Sequence, residues 1–183
     1  MYKDWYEVFP EITWITDDSL REQTASVYED ACQPSHWTLE DMDIIPFTLL
    51  ISNTVISYRT HVRAVTNMAH AVYQEYQRHY YDSYSLDYNV LVAGGLLHDV
   101  GKLVEYERDA NGTIVKSDLG KKLRHPFLGT GLAMQRGVPY GVAHIIAYHS
   151  KEGDGTLRTP EAVIINKLDM MNFETIKSHL GMI

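Results

Sequence analysis

The sequence predicts an all-α fold, a helical bundle broken once by a small β-hairpin, and three observations carry that expectation. Inward positions recur at helical spacing, as in the stripe His61, Val65, Met68 and Val72. Pro126, Pro139 and Pro160 stand at plausible first positions of helices, the last behind Thr159 as a cap. Ala110-Asn111-Gly112 lies between two β-branched or aromatic runs, which is a hairpin signal.

Taken in order, residues 1–45 read as a helical extension packed on a core domain of residues 46–183. The extension opens on an irregular aromatic stretch, continues as a helix over 18–32, breaks at Pro34 and resumes as a short turn from Thr38. A long helix is expected over 60–80. Asp87 caps the next, which runs through an almost wholly apolar stretch to His98 and should be buried on all sides. The hairpin strands are expected over 104–107 and 113–116, followed by the three proline-led helices.

Composition narrows the function. The 183 residues are 45% hydrophobic, which suits a folded domain, and the net charge of -8 opposes a long nucleic-acid backbone as partner. The single cysteine, Cys32, excludes an internal disulfide and a multi-cysteine zinc site. Asp4 and Glu7 near the start, and apolar runs too short for a bilayer, give no export or membrane signal, so a cytoplasmic setting is expected.

The chemistry lies in polar residues that point into apolar stripes. At about 100° per residue, His61 lies within roughly 40° of Val65, Met68 and Val72, whereas His70 is opposite. His149 projects with Val142, Ile145 and Ile146, while His144 does not. Asp169 shares a stripe with Ala162, Ile165, Phe173 and Ile176, where a bare carboxylate costs several kcal/mol unless paired or bound to metal. His98 and Asp99 end the most apolar helix just before Gly101, where adjacent residues can converge. His125 precedes Pro126 and is the expected cap of a helix, whose positive end keeps the ring neutral as a ligand requires.

A single inward histidine is ordinarily a hydrogen-bonded core residue. Four imidazoles and two carboxylates on five elements form a two-metal inventory instead. A carboxylate bridges two cations where an imidazole does not, so His61, His98, Asp99 and Asp169 are assigned to one ion and Asp99, His125 and His149 to the other. Four neutral histidines and two aspartates against two divalent cations leave +2, so the site attracts anions, phosphate above all, despite an acidic exterior. Histidine-rich ligation favours Fe, Mn, Zn or Co over Mg alone.

The order His61, His98-Asp99, His125, His149, Asp169 resembles the HD-domain superfamily of metal-dependent phosphohydrolases, and Gly95 to Lys102 matches its central motif. The resemblance implies an HD helical bundle with the hairpin inserted after the His-Asp pair, the same ligand sets, and hydrolysis of a phosphomonoester or phosphodiester of a small metabolite or nucleotide by a metal-activated hydroxide. Asp99 would act as catalytic bridge and Lys102 as a contact to the substrate oxyanion, although Lys102 could simply complement a helix end. Lys121, Lys122 and Arg124 form a basic cluster leading into His125, and Lys122 and Arg124 are candidate anion-binding residues.

Other readings stay open. HD-type diiron oxygenases acting on a polyol or a phosphonate resemble the same scaffold and share the six-ligand pattern. A non-catalytic metal or ligand sensor is a third class. Cyclic di-GMP hydrolysis is not implied, because Ser150 and Thr156-Leu157-Arg158 replace that branch's second histidine and its Gly-Tyr-Pro triplet. Residues 150–158 form a glycine-containing loop expected to be mobile, placed to act as a lid, and Tyr106, Tyr140 and Tyr148 are candidates for the cleft mouth. His36, His70, His79, His144 and His179 receive no role.

Overall fold

The computed structural model describes residues 1–51 and 54–183. It is mostly helical, with one two-stranded sheet: α1 (Trp5–Val8), α2 (Asp18–Cys32), α3 (Tyr58–Tyr80), α4 (Tyr88–Leu97), α5 (Lys102–Glu105), β1 (Tyr106–Arg108), β2 (Ile114–Lys116), α6 (Asp118–Lys122), α7 (His125–Gln135), α8 (Tyr140–Tyr148) and α9 (Pro160–His179). Side-chain caps start α2, α3, α4 and α9. Asp17 accepts from the Leu20 amide, Ser57 from Thr60, Asp87 from Val90 and Thr159 from Ala162, each satisfying a donor the helix cannot.

The apolar α4 is the axis of the fold. Residues Leu91 through Leu97 are all buried, because α2, α3, α8 and α9 surround them. A helix without a polar face has no stable place on the surface. The N-terminal segment shares this core: Phe9 stacks on Tyr28 with centroids 4.7 Å apart, Tyr28 stacks on Trp5, and the Tyr28 hydroxyl donates to the Leu96 carbonyl at the end of α4. Trp37 Nε1 donates to the Leu103 carbonyl at 2.8 Å, and Arg59 Nε to the Val8 carbonyl at 2.7 Å.

The hairpin is shifted from its expected position. Its strands pair antiparallel, Tyr106 with Lys116 and Arg108 with Ile114. Val104 and Glu105, expected in the first strand, belong to the short helix α5. The turn at Gly112 (φ +80°) is glycine-dependent as the Asn-Gly signal implies, and the Asp109 carboxylate accepts from the Asn111 and Thr113 amides. The turn chemistry was readable; the strand start depends on α5 packing against α7.

Gly101 serves another purpose than a helix stop. Its φ is an ordinary -63°, but a Cβ there would lie 2.0 Å from the His125 carbonyl oxygen. Only glycine lets the turn after α4 touch the start of α7, and this contact brings the His98-Asp99 pair to His125.

Candidate metal centre

Five elements deliver six polar side chains to one buried point. His61 sits in the first turn of α3, His98 and Asp99 in the turn that follows α4, His125 at the first position of α7, His149 just past α8 and Asp169 midway along α9. His125 is therefore the first helical residue, and Arg124, with extended backbone, is the cap position expected for it. Pro126 becomes the second helical residue, still in the first turn where its missing N–H leaves no bond unmade, so the boundary moves by one residue only.

Asp99 is the centre of the arrangement. Its Oδ2 lies 3.4 Å from Nε2 of both His61 and His98, while its Oδ1 lies 3.3 Å from Nε2 of His125 and 3.5 Å from Nε2 of His149. Asp169 Oδ1 stands 3.1 Å from His61 Nε2, and the nitrogen pairs His61/His98 and His125/His149 are 3.3 and 3.2 Å apart. The donors thus fall into two groups, His61, His98, Asp99 and Asp169, and Asp99, His125 and His149, each with its ligand atoms within 4.8 Å of one another.

The remaining ring nitrogens set the tautomers. Nδ1 of His98 donates to the Gly95 carbonyl (2.7 Å), Nδ1 of His149 to the Ile146 carbonyl (2.8 Å), and Nδ1 of His125 to Glu105 Oε2 (2.9 Å). Each Nε2 then turns a lone pair toward Asp99, whose Oδ1 has no hydrogen-bond donor of its own. Lone pairs converging at such spacings repel one another. The spacings match ligand atoms held about 2.0–2.2 Å from a shared divalent cation. These buried residues fit divalent metal ions.

Charges in the centre agree with that use. Burial pushes the His125 pKa down to about 4 despite its bond to Glu105, so the ring is neutral at pH 7. Burial, rather than the helix end, is the dominant cause. Burial also opposes ionisation of Asp99, yet the Lys102 ammonium beside it holds its carboxyl well below the usual carboxylate range. For Asp169 the same opposition from burial is outweighed chiefly by the His61 hydrogen bond. Burial works against a charged His61, but Asp169 and Asp99 overcome it and raise its pKa. A cation bound there would compete with a proton for the same ring nitrogen.

The centre opens into a cleft of ≈290 Å³ whose lining includes Asp99, Lys102, Tyr106, Lys116, Arg124, His125 and Asp169. The Lys102 ammonium donates to Asp99 Oδ2 at 2.5 Å and to the Phe47 carbonyl at 2.7 Å, leaving one of its three protons uncommitted. Arg124 Nε stands 3.0 Å from Glu152. Lys122 is exposed on α6 and does not line the cleft, and Lys121 pairs with Asp118 at 2.8 Å. Of the three tyrosines only Tyr106 reaches the cleft; Tyr140 is 81% exposed elsewhere and Tyr148 packs on His144. Residues 150–158 are more ordered than a free loop: the Arg158 guanidinium donates to the Tyr148 and Ser150 carbonyls and to Asp154.

A family model of the HD domain matches residues 58–172. The chain belongs to the HD-domain family. No curated protein and no solved structure matches it. All six metal-ligating candidates lie inside the HD match, and so do Lys102, Lys122 and Arg124.

Two supporting residues of the HD centre escape a reading based on helix faces. Asn166 Nδ2 donates to the His149 carbonyl at 2.6 Å and fixes the end of α8. Glu105, 2% exposed, accepts from both the amide and Nδ1 of His125 and pairs through Oε1 with Lys116 at 2.9 Å. A strand over 104–107 would turn Glu105 to the face opposite Val104 and Tyr106, so its burial follows only from the short helix α5 that replaces the start of that strand. Glu105→Gln is expected to lower metal affinity of the Asp99, His125, His149 group by about 10–100-fold, with the other group spared, as measured by calorimetric titration with Zn²⁺ or Mn²⁺. Burial opposes the Glu105 charge, but His125 and Lys116 outweigh it and lower its pKa from 4.5 to about 2. Its contribution to stability is therefore complete above about pH 4.5 and is lost as the pH falls toward about 2. Melting curves of Glu105→Gln should converge on wild type across that window; a constant gap would contradict this role.

Proposed function

We propose that the chain is a metal-dependent phosphohydrolase that cleaves a phosphomonoester or phosphodiester of a small metabolite or nucleotide. The observation that carries this reading is the split carboxylate of Asp99, with Oδ2 toward His61 and His98 and Oδ1 toward His125 and His149, at the floor of a cleft lined by Lys102, Lys116, Arg124 and Lys151. Two divalent ions held by these groups would supply a Lewis acid for the phosphoryl oxygens and a water acidified for in-line attack.

The chain's own residues do the rest. His98, His125 and His149 are oriented before any ligand arrives, because their Nδ1 protons are already committed. Lys102 lines the cleft with one proton uncommitted, and there its charge would offset that growing on the phosphoryl oxygens. Arg124 and Lys151 at the rim draw an anion in, although the chain as a whole is acidic. Phe47, with its ring centroid 5.0 Å from that of His61, shields one side of the centre from bulk water.

The decisive experiment is elemental analysis of protein purified without added metal, followed by a phosphoester panel. Retained Mn, Fe, Zn or Co with phosphate release is the expected result. Iron with a mixed-valent signal on partial oxidation, and no phosphate release from any ester, would overturn the reading in favour of oxygenase chemistry. Lys102→Met is expected to lower kcat by about 10²–10³-fold. A variant with unchanged kcat would remove Lys102 from the reaction.

A further inference from the structure

The cleft has a second half that the metal centre does not explain. Its lining also includes an apolar set, Phe47, Leu49, Leu50, Met170 and Phe173. Leu50 is 67% exposed at the mouth, and the Phe47 and Phe173 rings meet edge to face at 6.4 Å. Met170 and Phe173 follow Asp169 by one and four positions on α9, so the helix that supplies a candidate ligand also supplies part of this wall.

The wall is placed differently from the chemistry in sequence. Phe47, Leu49, Leu50 and Phe173 lie outside the HD match at 58–172, while Met170 and every candidate metal ligand lie inside it. The cleft thus joins donors inside the HD match to a surface drawn mostly from outside it. Its charged part holds four cations, Lys102, Lys116, Arg124 and Lys151, against the carboxylates of Asp99, Glu105 and Asp169 and the Glu152 that pairs with Arg124, a balance that divalent metal would tip to positive. A dianion suits that half, and an apolar group suits the other. The volume of ≈290 Å³ lies at the small end of ligand clefts, which run about 300–1,000 Å³. It has room for one phosphate and one compact organic group.

We infer that the wall of Phe47, Leu49, Leu50, Met170 and Phe173 seats the alcohol portion of the substrate, which is a phosphate monoester of a compact apolar alcohol, aromatic or branched aliphatic. This rests on the phosphohydrolase reading above and specifies its substrate. In the reaction the P–O bond to the alcohol breaks, water supplies the oxygen that joins phosphorus, and a water proton leaves with the alcohol. No oxidant or reductant takes part.

The test compares benzyl phosphate with glycerol 1-phosphate, two primary alkyl monoesters of equal charge that differ in the polarity of the alcohol. Metal-loaded full-length protein should show a kcat/KM for benzyl phosphate at least tenfold higher. Leu50→Ser and Phe173→Ala should each pull that ratio toward unity, with metal content confirming an intact centre. Equal kcat/KM for the two esters in the wild type would overturn the inference while leaving the phosphohydrolase reading standing. A preference that persists in full in both variants would overturn the assignment to this wall. Hydrolysis of neither ester, nor of any other in the panel, by protein that retains its metal would overturn the phosphohydrolase reading itself.

Discussion

Asp99→Ala should strip metal from both donor groups and lower the melting temperature of the metal-free protein. The first effect follows from geometry, since Asp99 is the one residue shared by the two groups. The second follows from Lys102. Its ammonium is buried, and burial works against its charge, but Asp99 holds its pKa up; without that carboxylate the cation keeps only the Phe47 carbonyl. Removing one partner of a buried ion pair costs about 3–5 kcal/mol, or about 10 °C for a chain of this size. Asp99→Asn separates the two effects. The amide oxygen can still accept from Lys102, so most of the stability should return, but a neutral amide with one acceptor oxygen cannot bridge two cations. Mass-spectrometric metal analysis beside melting curves in chelator decides the matter: full metal content in Asp99→Asn would refute the bridging role.

Tyr28→Ala should have the largest effect of any substitution remote from the centre. The side chain is fully buried, stacked on both Trp5 and Phe9, and its hydroxyl satisfies the Leu96 carbonyl in the last turn of α4, where the helix has no internal donor to offer. Truncating a large buried aromatic costs about 3–5 kcal/mol through lost transfer energy and an unfilled cavity. Part of the damage should reach the metal centre, because Leu96 lies two residues before His98 in the segment that Tyr28 ties to the N-terminal core. The expected result is a melting temperature lower by about 10 °C together with weaker metal retention. Tyr28→Phe, which keeps the stack and loses only the hydroxyl, should recover most of the stability. Alanine at 28 with unchanged melting would show that residues 1–45 contribute little to the folding of the rest.

How far the centre could be read in advance depended on the element. On α3, α8 and α9 the 3.6-residue period places His61, His149 and Asp169 on inward stripes, because an amphipathic helix has only one face to bury. The same rule excludes His70 and His144, which bond instead to Tyr88 and to the Thr159 amide. Near α5 the rule fails. A four-residue helix carries no periodic signal, so the local pattern around Glu105 reads as strand and gives no sign of its hold on His125. The basic cluster shows another limit: Lys122 and Arg124 are two residues apart, yet Arg124 enters the cleft and Lys122 faces solvent, because α6 ends between them at Leu123.

Helix periodicity and the order of the histidines and aspartates were therefore enough to specify the helical bundle and to nominate its donors, since both are local properties carried along a single chain. The division of Asp99 between two donor groups, the part played by Glu105 and the apolar wall of the cleft depended on contacts between distant segments. Gly101 marks the boundary between the two kinds of information. Its position after the His-Asp pair is plain in the sequence, but its reason is the His125 carbonyl that a Cβ would meet at 2.0 Å, an atom 24 residues further along the chain.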